Sequence, residues 1–122
     1  MNERLDEAAP SPLHDGFHMP AEWEPHGATW VAWPHQKADW PGKFEPIPWV
    51  WCEIIRHLAK GERTRVIVPV GKAGKVQECL TRAAVDLSMV DLISAATDRV
   101  WLRDSGAATV VGNDRSKALV NW

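Results

Sequence analysis

The chain has 122 residues, of which 45% are hydrophobic and 25% are charged, and its net charge is −2. This length allows one domain at most, and the composition is that of an ordinary globular protein. This charge provides no excess of basic residues that would attract nucleic acid or an anionic membrane. No apolar run approaches the ~20 residues of a membrane span. Since the first 15 residues also lack the apolar segment of a secretory signal, we expect a cytoplasmic location.

Apolar periods and turn residues predict a mixed α/β fold. Residues 1–16 are charged and punctuated by proline, which predicts a disordered leader ahead of a folded domain at 17–122. The elements predicted in that domain are a buried strand over 28–33, a helix that starts near Pro46 or Pro48 and stops at Gly61, a strand over 64–70, a helix over 73–84, a strand over 87–93 and a hairpin of 107–111 with 117–122.

The two cysteines, Cys52 and Cys79, both lie in apolar helical patterns. They are too few and too isolated for a metal knuckle or a disulfide framework, so we expect both to be small core residues.

Tryptophan is the unusual residue, with eight copies and no tyrosine, and six of the eight fall within residues 23–51. Such a cluster could form an aromatic platform for bases, sugars or cations. A bulky buried core is the favoured interpretation, because the chain has no basic surplus.

Four tryptophan-rich blocks follow one another in the chain: Met19 to His26, Ala28 to His35, Asp39 to Lys43, and Trp101-Leu102-Arg103-Asp104-Ser105-Gly106. In order and spacing they resemble the N-terminal portion of agmatine deiminases, in the guanidine-modifying (pentein) superfamily, over about residues 17–122. Enzymes of that family are roughly three times longer and repeat a ββαβ module five times around a propeller. The resemblance implies a partial pentein fold of about two modules. The chain also ends mid-strand on Trp122, which suggests a truncated sequence.

The resemblance implies a guanidinium half-site, by which we mean Trp101 and Asp104. In the family the aspartate of the Trp-x-Arg-Asp-x-Gly signature binds the substrate guanidinium through paired hydrogen bonds, and the tryptophan packs against the flat cation. Arg103, Gly106 and Asp98 would support the loop. Two positions depart from the family pattern: Arg99 replaces an acid, and Ala107 follows Gly106 where proline is usual. A new cation at Arg99 could repel a cationic substrate or block its tail.

The family's chemistry uses a cysteine thiolate that attacks the guanidinium carbon and a histidine that acts as acid and base, without metal or organic cofactor. Neither segment is found in this sequence, so we expect no catalytic residue in the chain. Cys52 and Cys79 do not match the nucleophile, and no histidine matches the base: His14, His18, His26, His35 or His57. His26 and His35 are expected to form hydrogen bonds within the fold.

The resemblance implies an amidine hydrolase that converts agmatine and water to N-carbamoylputrescine and ammonia, on the route to putrescine. The expected partner is a small cationic guanidine, with no nucleic acid and no membrane. The 122-residue chain alone is expected to be inactive. The alternative is a non-catalytic relative that acts as a small binding or self-associating module. In either case uncovered module edges would favour a homo-oligomer.

Overall fold

The structure, a computed structural model, describes residues 11–121. These residues form two compact units, one of residues 26–105 and one that combines residues 11–25 with 106–121. The strands are β1 (Phe17–His18), β2 (Thr29–Ala32), β3 (Thr64–Val68), β4 (Val90–Ser94), β5 (Ala108–Gly112) and β6 (Lys117–Val120), and the helices are α1 (Ile47–Leu58), α2 (Ala73–Arg82) and α3 (Leu102–Ser105). The predicted mixed α/β fold is confirmed.

The unit of residues 26–105 is a three-stranded parallel sheet in the order β2-β3-β4. Its strands are parallel because α1 and α2 each carry the chain back across the sheet before the next strand begins. Thr64 on the central strand faces Thr29 on one side and Val90 on the other. Helix α1 begins with proline in its first turn, as predicted, and the chain leaves it before Gly61.

One face of this sheet is covered by α1 and α2, which also pack against each other. The core between the layers is made by side chains from β3 and both helices, including Val66, Val68, Cys52, Ile55, Val76 and Leu80. Val66 and Val68 are two residues apart on β3, Cys52 and Ile55 are three apart on α1, and Val76 and Leu80 are four apart on α2, so each pair lies on one face of its element. The two helices therefore belong to a single layer.

The predicted strand over 87–93 is wrong at its start. Leu87–Met89 forms a short 3₁₀ helix, and β4 begins only at Val90. The Asp86 carboxylate accepts hydrogen bonds from the Ser88 backbone N–H (3.0 Å) and from the Ser88 hydroxyl (2.6 Å). This local cap holds the chain in a turn, although the composition of these residues suits a strand.

The unit of residues 11–25 and 106–121 is an antiparallel sheet in the order β1-β5-β6. Strands β5 and β6 form the predicted hairpin, closed by a hydrogen bond from the Gly112 N–H to the Ser116 carbonyl (2.9 Å). Strand β1, which pairs with β5, was not predicted. Residues 11–16 form a hydrogen-bonded turn ahead of β1. Residues 1–10 of the predicted 1–16 leader and the predicted strand end at Trp122 lie outside the described residues, and the division at residues 16 and 17 stays a prediction.

The tryptophans do not form the expected core. Of the seven that lie within residues 11–121, Trp33 alone is buried, and Trp40 and Trp51 are half-buried. The other four are exposed: Trp23, Trp30, Trp49 and Trp101. The prediction of a bulky buried core is therefore wrong for these four, and the core is instead built from aliphatic side chains. No helix in the described part of the chain is long and apolar enough to cross a membrane.

Candidate functional site

The candidate site lies where the chain leaves β2 and β4. Residues 33–46 connect β2 to α1, and residues 95–101 connect β4 to α3. Because the strands are parallel, their carboxyl ends share one edge of the sheet, which is where open α/β sheets bind ligands. Helix α3 packs against β2, so the two connections meet at this edge.

An aromatic cluster of Trp40, Phe44, Trp51 and Trp101 joins these connections. The Trp40 ring lies 5.8 Å from that of Trp51, 6.0 Å from that of Phe44 and 6.5 Å from that of Trp101, measured between ring centroids. The Trp51 indole N–H donates to the Ala32 carbonyl at 2.8 Å, which ties the cluster to the end of β2. Trp101 remains 52% exposed. One aromatic ring of a supported group is therefore accessible to a ligand.

Asp104 lies on α3, one helical turn after Trp101. Its backbone N–H donates to the Trp101 carbonyl (3.2 Å), and the Ser105 hydroxyl donates to the same carbonyl (3.0 Å). Trp101 directly precedes α3 and is joined to it by these hydrogen bonds, so Trp101 and Asp104 lie at one end of the helix. Asp104 is exposed, and no residue within 11–121 forms an ion pair with it.

The three predicted supporting residues lie on or beside α3. Arg103 is on the helix, Gly106 follows it directly in the sequence, and Asp98 is in the connection that precedes it. All three are exposed. Their predicted role in supporting the loop stays a prediction.

Arg99, the predicted departure from the family pattern, forms an ion pair that the sequence did not predict. Its Nη1 contacts Oδ1 of Asp39, the last residue of a 3₁₀ turn at Lys37–Asp39. The Asp39 side chain is only 4% exposed, whereas that of Arg99 is 54% exposed. The cation that could repel a substrate is therefore held by a buried carboxylate. Asp39 is a site residue that the sequence analysis missed, and its presence in a tryptophan-rich block was the signal available.

The thiol of Cys52 does not suit nucleophilic attack. Cys52 is 1% exposed within the core, and burial, together with the neighbouring Cys79, raises the pKa of its thiol to about 11. A nucleophilic cysteine needs an accessible thiolate. Both cysteines pack in the core, as predicted.

The two histidines of the tryptophan-rich blocks form hydrogen bonds within the fold, as predicted. His26 Nε2 lies 2.7 Å from a Glu62 carboxylate oxygen, and His35 Nδ1 lies 3.2 Å from the Trp33 carbonyl. Within residues 11–121 there is no group of three or more histidine, cysteine or acidic side chains that could hold a metal ion.

Residues 18–122 match the Porphyromonas-type peptidyl-arginine deiminase family. The chain belongs to this family. Two curated members of similar sequence are the agmatine deiminases of Ectopseudomonas mendocina (strain ymp), 31% identical over 112 residues, and of Stutzerimonas stutzeri (strain A1501), 30% identical over 112 residues. Each alignment covers 92% of this chain and 29% of the relative. The resemblance inferred from the four blocks is confirmed.

Solved structures of agmatine deiminases share the fold. The enzyme of Enterococcus faecalis superposes with a TM-score of 0.77 at 20% identity, over 92% of this chain and 29% of that one. A substrate-bound agmatine deiminase of C. jejuni superposes with a TM-score of 0.70 at 22% identity, over 86% and 29%. The partial pentein fold is confirmed, and the chain spans about three-tenths of the length of these family members. The number of modules stays a prediction.

Proposed function

We propose that this chain carries the guanidinium half-site of an agmatine deiminase-type amidine hydrolase. The observation that supports this most is the pairing of Trp101, half-exposed on a supported aromatic cluster, with Asp104, exposed one turn later without an ion-pair partner in residues 11–121. A complete enzyme of this type would hydrolyse agmatine to N-carbamoylputrescine and ammonia.

The half-site has the chemistry for binding and orienting a flat cation. A carboxylate accepts two parallel N–H donors from one edge of a guanidinium, and an indole ring attracts the cation through its face. The Cys52 thiol is buried, and no segment of the sequence resembles the family's nucleophile or base, so we expect the chain to bind guanidines without hydrolysing them. Since Asp104 is exposed, its ion pair should contribute at most about 1 kcal/mol, and an exposed cation–π contact should contribute a similar amount. We therefore expect millimolar or weaker affinity.

The test is a titration of the isotope-labelled chain with agmatine, followed through its tryptophan indole signals by NMR. We expect the Trp101 signal to shift saturably in the parent chain and in Asp15→Asn, a control that removes the same charge at another exposed aspartate. The shift should be lost in Asp104→Asn. Putrescine, which has two ammonium groups and no guanidinium, should cause a smaller shift. A Trp101 shift that persists in Asp104→Asn would contradict the assignment.

A second function, self-association, is favoured by the outer face of α1. Val50 and Ile54 are exposed there, one turn apart, and with Leu58 they line a shallow groove that also includes Glu53 and His57. Glu53 and His57 pair with each other at the rim (3.0 Å), so the exposed surface between them and the next turn is apolar, and a second copy of the same helix could cover it in an antiparallel arrangement. Sedimentation of the parent chain against Ile54→Glu tests this: we expect dimer only in the parent. A monomeric parent would exclude it.

A further inference from the structure

Asp39 is an unusual carboxylate because it is buried and only half satisfied. One oxygen, Oδ1, contacts Arg99, while Oδ2 is buried and has no hydrogen-bond partner among residues 11–121. Removing a charged oxygen from water without replacing its hydrogen bonds is costly. A buried carboxylate with an unused acceptor can take up a further donor, and a planar ligand with two N–H groups would satisfy both oxygens.

Arg99 contacts only one of the two acceptor oxygens of the Asp39 carboxylate. A guanidinium carries five N–H donors in a rigid fork, and its best contact with a carboxylate uses two of them side by side. Here the contact joins Nη1 to Oδ1 and leaves the second oxygen of Asp39 without a hydrogen-bond partner among residues 11–121, and more than half of the Arg99 side chain is exposed to solvent. The pair is therefore one that a free guanidinium ion with better geometry could replace.

The aromatic cluster contains close chain neighbours of both members of this pair. Trp40 follows Asp39 directly in the chain, and Trp101 follows Arg99 by two residues, with the two rings 6.5 Å apart. A carboxylate close in the chain to an indole ring is also the combination that we propose for guanidinium binding at Trp101 and Asp104. At Asp39, however, the guanidinium already present belongs to the chain itself.

We propose that Asp39 is a second cation-binding group of this site and that Arg99 occupies it, in competition with guanidinium-bearing ligands. The inference deepens the proposed function and rests on it, since Trp40 connects Asp39 to the ring assigned to the ligand. The ligand class is a small guanidinium cation, because that is the group Asp39 holds now. Removal of Arg99 should therefore strengthen guanidinium binding. A partly exposed ion pair contributes up to about 1 kcal/mol, so we expect the affinity to rise about fivefold.

The experiment compares the dissociation constant of methylguanidinium in four forms of the chain, from the indole signals of Trp40 and Trp101. Arg99→Gln should bind about fivefold more tightly than the parent. Arg115→Gln, which removes the same charge from the β5–β6 turn, should match the parent. The double variant Asp39→Asn/Arg99→Gln should lose the gain. Unchanged affinity in Arg99→Gln would overturn the inference. A gain that survives in the double variant would overturn it too, because relief of repulsion at Asp104 would then be the cause.

Arg99→Gln leaves Asp39 buried without a counter-ion, which could unfold the chain. In that case methylguanidinium, added above its dissociation constant, should restore the dispersed indole signals by replacing the missing cation, and failure to restore them would overturn the inference. Methylammonium should be less effective, because it cannot form the paired contact. The two proposals fail separately. If Asp104→Asn loses the agmatine shifts but Arg99→Gln shows no gain in affinity, only the role of Asp39 is refuted. If Asp104→Asn keeps the shifts but Arg99→Gln binds more tightly, only the role of Asp104 is refuted.

Discussion

Replacement of Thr64 by valine should stabilise the protein. Thr64 is fully buried on the central strand β3, and its hydroxyl oxygen has no hydrogen-bond partner within the described part of the chain. Valine has nearly the same shape and the same branching at Cβ, so it suits the strand equally well, and it has no polar group to bury. An unsatisfied buried polar group costs about 1–3 kcal/mol. We therefore expect Thr64→Val to raise the free energy of unfolding by about 1–2 kcal/mol and Tm by roughly 4–8 °C.

The neighbouring strand supplies a matched control. Thr29 is the register partner of Thr64 on β2, and its hydroxyl donates to a Glu62 carboxylate oxygen at 2.9 Å. Thr29→Val removes that hydrogen bond and should lower the free energy of unfolding by about 1 kcal/mol. Urea unfolding, followed by circular dichroism, measures both variants, and the slope against urea should stay constant. A Thr64→Val protein that is no more stable than the parent would refute the reasoning, because the hydroxyl would then have a partner such as a buried water.

Two further predictions concern an ion pair on α1 and a tight turn. Hydrogen bonds from Arg56 hold the pKa of Glu53 at about 2, below its ordinary value of 4.5. The stabilisation that the ionised Glu53 contributes is therefore present above pH 4.5 and is lost as the pH falls toward 2. Glu53→Gln should reduce the acid sensitivity of unfolding in that range, and an unchanged pH profile would contradict this. A methyl group at Gly112 would lie 2.6 Å from the Ser116 hydroxyl oxygen, whereas one at Gly27 would meet nothing within 4 Å. In thermal unfolding, Gly112→Ala should destabilise the protein by about 1–3 kcal/mol and Gly27→Ala should not; equal effects would contradict the crowding argument.

The elements that the sequence predicted well are those with a long apolar period or a strong turn signal. Helix α1 extends over three turns, and the β5–β6 hairpin has an Asn/Asp turn, so local residues alone determine both. Strand β1 has two residues, which is too short for any period to be visible, and it forms only because β5 offers an edge. The start of β4 was missed because the Asp86 cap acts on residues whose composition favours a strand.

The residues of the candidate site also differ in whether a local sequence pattern could predict them. Trp101 and Asp104 are three residues apart in one motif, so a sequence pattern is enough to propose them together. Asp39 and Arg99 are 60 residues apart, and their pairing depends on how the connections after β2 and β4 meet. No local pattern carries that information. The exposure of four tryptophans was mispredicted for a related reason, because burial depends on what covers a face, and composition does not specify this.

The two carboxylates of the site differ in the physical factor that limits binding. Asp104 is exposed, so water and salt weaken its attraction for a cation whatever the ligand's geometry. Asp39 is shielded from water, so its attraction is stronger, but Arg99 already satisfies part of it. A change at Asp104 can therefore only weaken guanidinium binding, whereas a change at Arg99 can strengthen it. Under both proposals Asp104 is required for guanidinium binding, and substitution of Arg99 is the route to a tighter site.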